Sequence, residues 1–133
     1  MNKFVHKLSI CIFTPLLSVV VVLACLTAQG QSVEFNQHIR PLLSNKCFAC
    51  HGPDANQREA GLRLDLEASA TAKLASGARA IVPGDLNQSE IWQRINSEDE
   101  FSRMPPKEHS NPLSSAEKQL IKQWIQQGAK YQI

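Results

Sequence analysis

The stretch Cys47-Phe48-Ala49-Cys50-His51 decides how this sequence is interpreted. Positions i, i+3 and i+4 of a helical turn lie on one face, so the two thiols and the imidazole point the same way. Two cysteines placed like this can form thioether bonds to the vinyl groups of one porphyrin, while the histidine binds its iron. The C-x-x-C-H spacing is the attachment signature of c-type haem. It predicts one covalent haem c on Cys47 and Cys50, with His51 as an axial ligand.

Other uses of a C-x-x-C pair are less well supported by the rest of the chain. A thioredoxin-like redox pair belongs to a βαβ context, and no such pattern is present. A structural zinc site needs further ligands, usually as a second close pair, whereas beyond the motif the domain offers only the lone histidines His38 and His109. Haem is therefore favoured over a disulfide, a redox thiol pair or zinc.

The second axial ligand is predicted to be Met104, the only methionine besides Met1. It lies in Arg103-Met104-Pro105-Pro106, where two prolines stiffen the loop that would present the sulfur. A thioether ligand raises the reduction potential of haem iron. The alternative role for Met104 is apolar filler. His109 is the nearest competing ligand, and His38 is expected to be a surface or hydrogen-bonded histidine.

The first 30 residues are predicted to be an export signal. Lys3 and Lys7 precede a long uncharged stretch that ends near Cys25, and Ala28-Gln29-Gly30 resembles a cleavage site. An uncleaved membrane anchor, or a lipid on Cys25, is the alternative. The protein is therefore expected outside the cytoplasm, in the periplasm or an equivalent compartment, with residues 31–133 as the domain.

Charge argues against a nucleic-acid partner. The whole chain has 14 Lys and Arg and 12 Asp and Glu, but the leader holds Lys3 and Lys7 and no acidic residue. The remaining 12 basic and 12 acidic residues balance, so the domain has no net basic field.

Hydrophobic periodicity predicts an all-α domain with a helix near each end, two short helices between them and long loops that wrap the haem. The predicted helices cover residues 32–45 with a kink or restart at Pro41, 67–76 ending at Gly77, 89–96 with Asn87 as N-cap, and a last helix with a Ser114/Glu117 capping box that ends at Gly128. Gly52-Pro53-Asp54 ends any helix that carries His51, and residues 54–60 form a polar loop. Residues 61–65 alternate like a weak strand, residues 82–85 form a turn, and residues 97–112 form a loop.

The chain resembles the planctomycete-type cytochrome c domain. The matching stretches, in the family's order, are Phe35 with His38-Ile39-Arg40-Pro41-Leu42-Leu43, Cys47–Asp54, Gly61-Leu62-Arg63-Leu64-Asp65, Val82-Pro83-Gly84, Ser89-Glu90-Ile91, Arg103-Met104-Pro105-Pro106 and Trp124–Ala129. The resemblance implies a class I-like cytochrome c fold with His51 and Met104 as axial ligands. In this family the module often precedes larger domains, whereas this sequence stops just after it.

The expected function is transfer of single electrons to or from a redox partner protein. No general base, nucleophile or open metal site is evident, so the protein is not expected to be an enzyme. A haem-based sensor or peroxidase-like protein with a labile sixth ligand is the alternative.

Side chains around the predicted haem have further candidate roles. Arg63 and Arg103 could pair with the haem propionates, although an ordinary surface charge is the role expected first for each. Trp92 and Trp124 are expected in the core rather than against the haem. The Nδ1–H group of His51 is expected to donate to a backbone carbonyl.

Overall fold

The computed structural model describes residues 32–108 and 111–132. In this part of the chain the regular elements are all helical, and two isolated β-bridges around Arg79 take the place of any strand. The elements are a π-helical segment Phe35–Ile39 and the α-helices α1 Arg40–Lys46, α2 Phe48–His51, α3 Glu67–Ala70, α4 Glu90–Asn96 and α5 Ser115–Gln126. The all-α prediction is therefore confirmed for the described residues. None of their helices is long and apolar enough to cross a membrane.

The first helical stretch changes from a π-helix to an α-helix at the turn that contains Pro41. The π-helical segment Phe35–Ile39 leads directly into α1, and Pro41 lies in the first turn of α1. Proline has no N–H to donate, so the first turn of a helix is the position that tolerates it. The predicted restart at Pro41 is confirmed.

The C-terminal helix α5 has the predicted signals at both ends. The Ser114 hydroxyl accepts from the Glu117 amide at 3.3 Å, and the Glu117 carboxylate accepts from the Ser114 amide at 2.7 Å. At the other end Gly128 has a φ of +96°, a conformation that glycine adopts without strain. Its amide and that of Ala129 donate to the Ile125 and Trp124 carbonyls, so the helix ends in a Schellman motif.

The two terminal helices meet in an aromatic cluster. Phe35 packs against Trp124 and Tyr131, with ring centroids 5.6 and 4.2 Å away, and the two latter rings are 5.2 Å apart. The Trp124 indole N–H donates to the Lys130 carbonyl, and the Tyr131 hydroxyl donates to the Leu64 carbonyl. Trp124 is thus a core residue, as predicted. Trp92 is half-buried against the same core.

Three local predictions are wrong: the strand at residues 61–65, the length of the helix that begins at residue 67, and the N-cap of α4. Residues 61–65 form turns instead of a strand, because Ala60 and Gly61 adopt positive φ values of 54° and 65° that break an extended run. Their alternation instead reflects Leu62 and Leu64, which are both buried. The helix predicted over 67–76 ends at Ala70, because the chain turns back there and the Ile81 amide donates to the Ala70 carbonyl.

The N-cap of α4 is Ser89, not Asn87. The Ser89 side chain is fully buried, and it does not cap the helix. Its hydroxyl donates toward the Asp85 carbonyl and accepts from the Val82 amide. It therefore organises the 82–85 turn, which is present as predicted and contains Gly84 at a φ of +81°.

Lys46 ties the end of α1 to the segment that precedes α5. Its ammonium group donates to Asn111 and to the Pro112 carbonyl, and it lies 3.5 Å from the Glu117 carboxylate. The lysine side chain is only 7% exposed, so this ion pair is better shielded than a surface pair. The contact holds the loop before α5 against the residue that precedes Cys47.

Glu117 makes stability depend on pH. Hydrogen bonds from Ser114, together with nearby Lys46, hold the pKa of Glu117 below its ordinary value. Such a carboxylate stabilises the fold above its unfolded pKa, near 4.5, and this contribution is lost as pH falls through the lower folded pKa. We expect the melting temperature of Glu117→Gln to fall less than that of the wild type between pH 5 and pH 2.5. Parallel melting curves for the two proteins would contradict this.

Candidate haem-attachment site

The two cysteines and the histidine lie on one helical turn. Cys47 precedes α2, and its carbonyl accepts from the amides of Cys50 at 3.1 Å and His51 at 2.8 Å. Both thiols are free and half-buried, so neither is used in a disulfide in the described part of the chain. The turn places the three donor residues at the i, i+3, i+4 spacing that the sequence predicts.

The chain that follows the cysteine–histidine turn (Cys47–His51) folds back on it and donates hydrogen bonds to backbone carbonyls of residues 50–53. The amide of Glu59 donates to the Cys50 carbonyl at 2.8 Å, and the amide of Leu64 donates to the His51 carbonyl at 2.9 Å. The guanidinium of Arg58 donates to the carbonyls of Gly52 at 3.1 Å and Pro53 at 2.7 Å. These bonds satisfy carbonyls that a helix end leaves without partners. Through these bonds Arg58 and the amides of Glu59 and Leu64 form a brace for the cysteine–histidine turn.

The sequence carries no signal for the brace, and residues 54–60 are predicted only as a polar loop. Arg58 has no periodic or motif signal that would distinguish it from a surface charge. Its role depends on the direction in which the chain leaves Gly52, which is a property of the folded backbone. Arg58 is a positioning residue, because it holds the carbonyls that follow His51.

Gly52 permits the chain to leave the turn at close range. A Cβ atom built on Gly52 would lie 2.3 Å from the Phe48 carbonyl oxygen and 2.8 Å from the Phe48 Cβ. Its backbone φ of −121° is open to any residue, so the requirement for glycine is one of space. The predicted helix stop after His51 is confirmed: Gly52 is extended, and Pro53 disfavours a helical backbone at the residue before it.

Burial sets the protonation of the site. It raises the pKa of the Cys47 thiol to about 12, against an opposing effect of Lys46. Desolvation lowers the pKa of His51, and the nearby positive charge of Arg94 acts in the same direction. The imidazole is therefore neutral at physiological pH, and the neutral form is the one that binds a metal.

The carbonyl partner predicted for Nδ1 of His51 corresponds to the Glu59 backbone, which approaches the ring without full hydrogen-bond geometry. Nδ1 of His51 is buried and has no hydrogen-bond partner among the described residues, although the Glu59 backbone is near enough to oppose the lowering of the pKa. The backbone carbonyl of His51 does have a partner, but its ring Nδ1 does not.

The Met104 loop is held at the C-terminal end of α4. The Met104 amide donates to the Arg94 carbonyl at 3.0 Å, and the Arg103 amide donates to the Asp99 carbonyl at 2.9 Å. The positive charge of Arg94 also lowers the pKa of His51. The Met104 loop is therefore anchored to α4 through the Arg94 carbonyl, and Met104 itself is half-buried.

The structure describes one of the two other histidines that could bind the haem iron. Nδ1 of His38 accepts from the Glu34 amide at 3.0 Å, so this histidine is hydrogen-bonded within its own helix, as expected. His109 lies outside the described residues. In the part of the chain that the structure describes, no group of three or more His, Cys, Asp or Glu side chains is arranged to hold a metal ion, so the zinc alternative gains no ligand set.

Arg63 and Arg103 differ in what they contact. The guanidinium of Arg63 forms a two-point ion pair with Asp65, which lowers the pKa of that carboxyl. Nε of Arg103 is buried and has no partner among the described residues.

The described residues thus place two free thiols and a histidine on one braced turn with the C-x-x-C-H spacing. Residues 47–108 match the family model described as planctomycete cytochrome C. The match supports the prediction, made from the sequence, of a planctomycete-type cytochrome c domain. No curated protein and no solved structure gave a match.

Proposed function

We propose that this protein is an exported electron carrier that holds one haem c through thioether bonds to Cys47 and Cys50. His51 and Met104 are the proposed axial ligands, and the partner is another redox protein. The observation that carries the proposal is the single braced turn that presents two free thiols and a neutral imidazole. The match to the cytochrome c family over residues 47–108 supports it.

The residues present fit the haem in their donor chemistry. A bound haem supplies an iron that alternates between the ferrous and ferric states. Cys47 and Cys50 retain it covalently, and His51 offers a neutral nitrogen. The brace from Arg58 and Leu64 holds the turn so that His51 keeps its orientation.

Two side-chain ligands would leave the iron without an open position for a substrate. For this reason we propose a carrier and not an enzyme. The half-buried position of Met104, on a loop anchored to α4, is compatible with a sulfur ligand that is held in place before it binds. A haem sensor or peroxidase would need this ligand to be absent or labile.

The test is a visible spectrum of the protein exported from a host that matures c-type cytochromes. We expect haem to remain attached after denaturation, and we expect oxidised wild type to show a far-red sulfur-to-iron band. Met104→Ala and the volume-matched Met104→Leu should both lose this band, because neither side chain has a ligand atom. His38→Ala is the control and should keep it.

The other outcomes separate the alternatives. Covalent haem with no far-red band in the wild type, together with rapid carbon monoxide binding to the reduced protein, would favour the sensor or peroxidase. Absence of attached haem from the exported wild type would overturn the proposal. Cys47→Ala combined with Cys50→Ala should give the haem-free reference.

A further inference from the structure

Two buried side-chain atoms in the described residues have no hydrogen-bond partner, namely Nδ1 of His51 and Nε of Arg103. One belongs to the proposed axial histidine, and the other lies next to the proposed axial methionine. A buried polar group without a partner costs free energy, and the cost is greater for a charged group. An arginine in this position therefore indicates a missing anionic partner.

The other buried or half-buried arginines already have partners. Arg58 binds the carbonyls of Gly52 and Pro53, Arg63 binds Asp65, and Arg94 binds Glu90 and the Ser102 carbonyl. Arg103 differs because its side chain donates no hydrogen bond within the described residues while its Nε is buried.

Nearby carboxylates are already engaged. The Asp99 carboxylate accepts from the amides of Phe101 and Ser102, which hold the turn just before Arg103. The Glu90 carboxylate accepts from Arg94. Both acids are therefore used to shape the loop and α4, and neither neutralises Arg103.

We propose that Arg103 binds a propionate carboxylate of the haem. A guanidinium presents donors in a planar fork that matches a carboxylate, and Arg103 is fixed by its backbone bond to the Asp99 carbonyl beside Met104. Arg63 does not take this role, because Asp65 already occupies its fork. This inference rests on the proposed function and adds a specific contact to it.

The test compares Arg103→Gln, Arg103→Lys and the control Arg63→Gln in the matured full chain. Two quantities are measured, namely the reduction potential at fixed pH and ionic strength, and the propionate bending band in the resonance Raman spectrum. Loss of a positive charge near the haem stabilises the ferric state, so the potential of Arg103→Gln should fall. Its propionate band should also shift.

Arg103→Lys retains the charge but loses the two-point geometry, so it should keep most of the potential and still shift the propionate band. Arg63→Gln should leave both quantities unchanged. If Arg103→Gln does not accumulate, the Raman band of Arg103→Lys decides, since a purely structural arginine would leave that band in place.

The experiment distinguishes a failure of the proposed function from a failure of the role proposed for Arg103. If the wild type has no covalent haem, the proposed function itself is overturned. If the wild type has covalent haem but both Arg103 variants match Arg63→Gln in potential and propionate band, only the role of Arg103 is overturned.

Discussion

Replacement of Trp124 by alanine is expected to lower the free energy of unfolding by about 3–5 kcal/mol. Trp124 is 1% exposed and contacts both Phe35 and Tyr131. Its removal would leave a cavity where the N-terminal helix meets α5, and would also remove the donor to the Lys130 carbonyl. The loss is a large part of the total for a small domain, which is usually about 5–15 kcal/mol. Denaturant unfolding of the full chain measures it.

Trp92→Ala is the matched control. It removes the same side chain from a half-buried position at the edge of the core, so its cost should be clearly smaller. Equal losses in the two variants would show that the aromatic cluster is not the centre of the packing.

Replacement of Gly52 by alanine is the second change with a large expected effect. The new methyl group would overlap the Phe48 carbonyl, which belongs to α2 itself, so the backbone must move. Overpacking of this kind costs about 1–3 kcal/mol, and occasionally more. Because Gly52 directly follows His51, we also expect a lower yield of covalent haem, measured by pyridine haemochrome per mole of protein.

Gly77→Ala is the control for a glycine change without a clash. A Cβ atom on Gly77 would meet nothing within 4 Å, and its φ is +86°, so alanine there costs only the left-handed backbone, about 1–2 kcal/mol. Its yield of covalent haem should stay near that of the wild type. If Gly52→Ala matched Gly77→Ala in both stability and haem yield, the close approach to Phe48 would not limit the site.

The sequence predicted the parts of this molecule that depend on neighbouring residues. The Ser114/Glu117 capping box, the restart at Pro41 and the helix stop at Gly52 are local patterns, and all three are confirmed. The cysteine–histidine spacing is also local, and the family match covers it.

The sequence failed where long-range packing decided the outcome. The helix predicted from residue 67 ended early because Ala70 pairs with Ile81. The N-cap position of α4 is occupied by Ser89 and not by Asn87, because the buried Ser89 hydroxyl binds the Asp85 carbonyl of the adjacent turn. Loop folding also decides which groups the arginines contact, and hydrophobic periodicity in the sequence does not encode it. Arg58 and Arg63 find partners in this way, whereas Nε of Arg103 has none among the described residues.

The brace around the cysteine–histidine turn also has a consequence for the order of folding. Its bonds join residues within the stretch 47–64, whereas bonds between the chain ends, such as Val33 to Gln127, span 94 residues. Closing a short loop loses less chain entropy than closing a long one, and local contacts form sooner. We therefore expect the attachment turn to take shape on a chain whose ends are still apart, with docking of the terminal helices as the closing step.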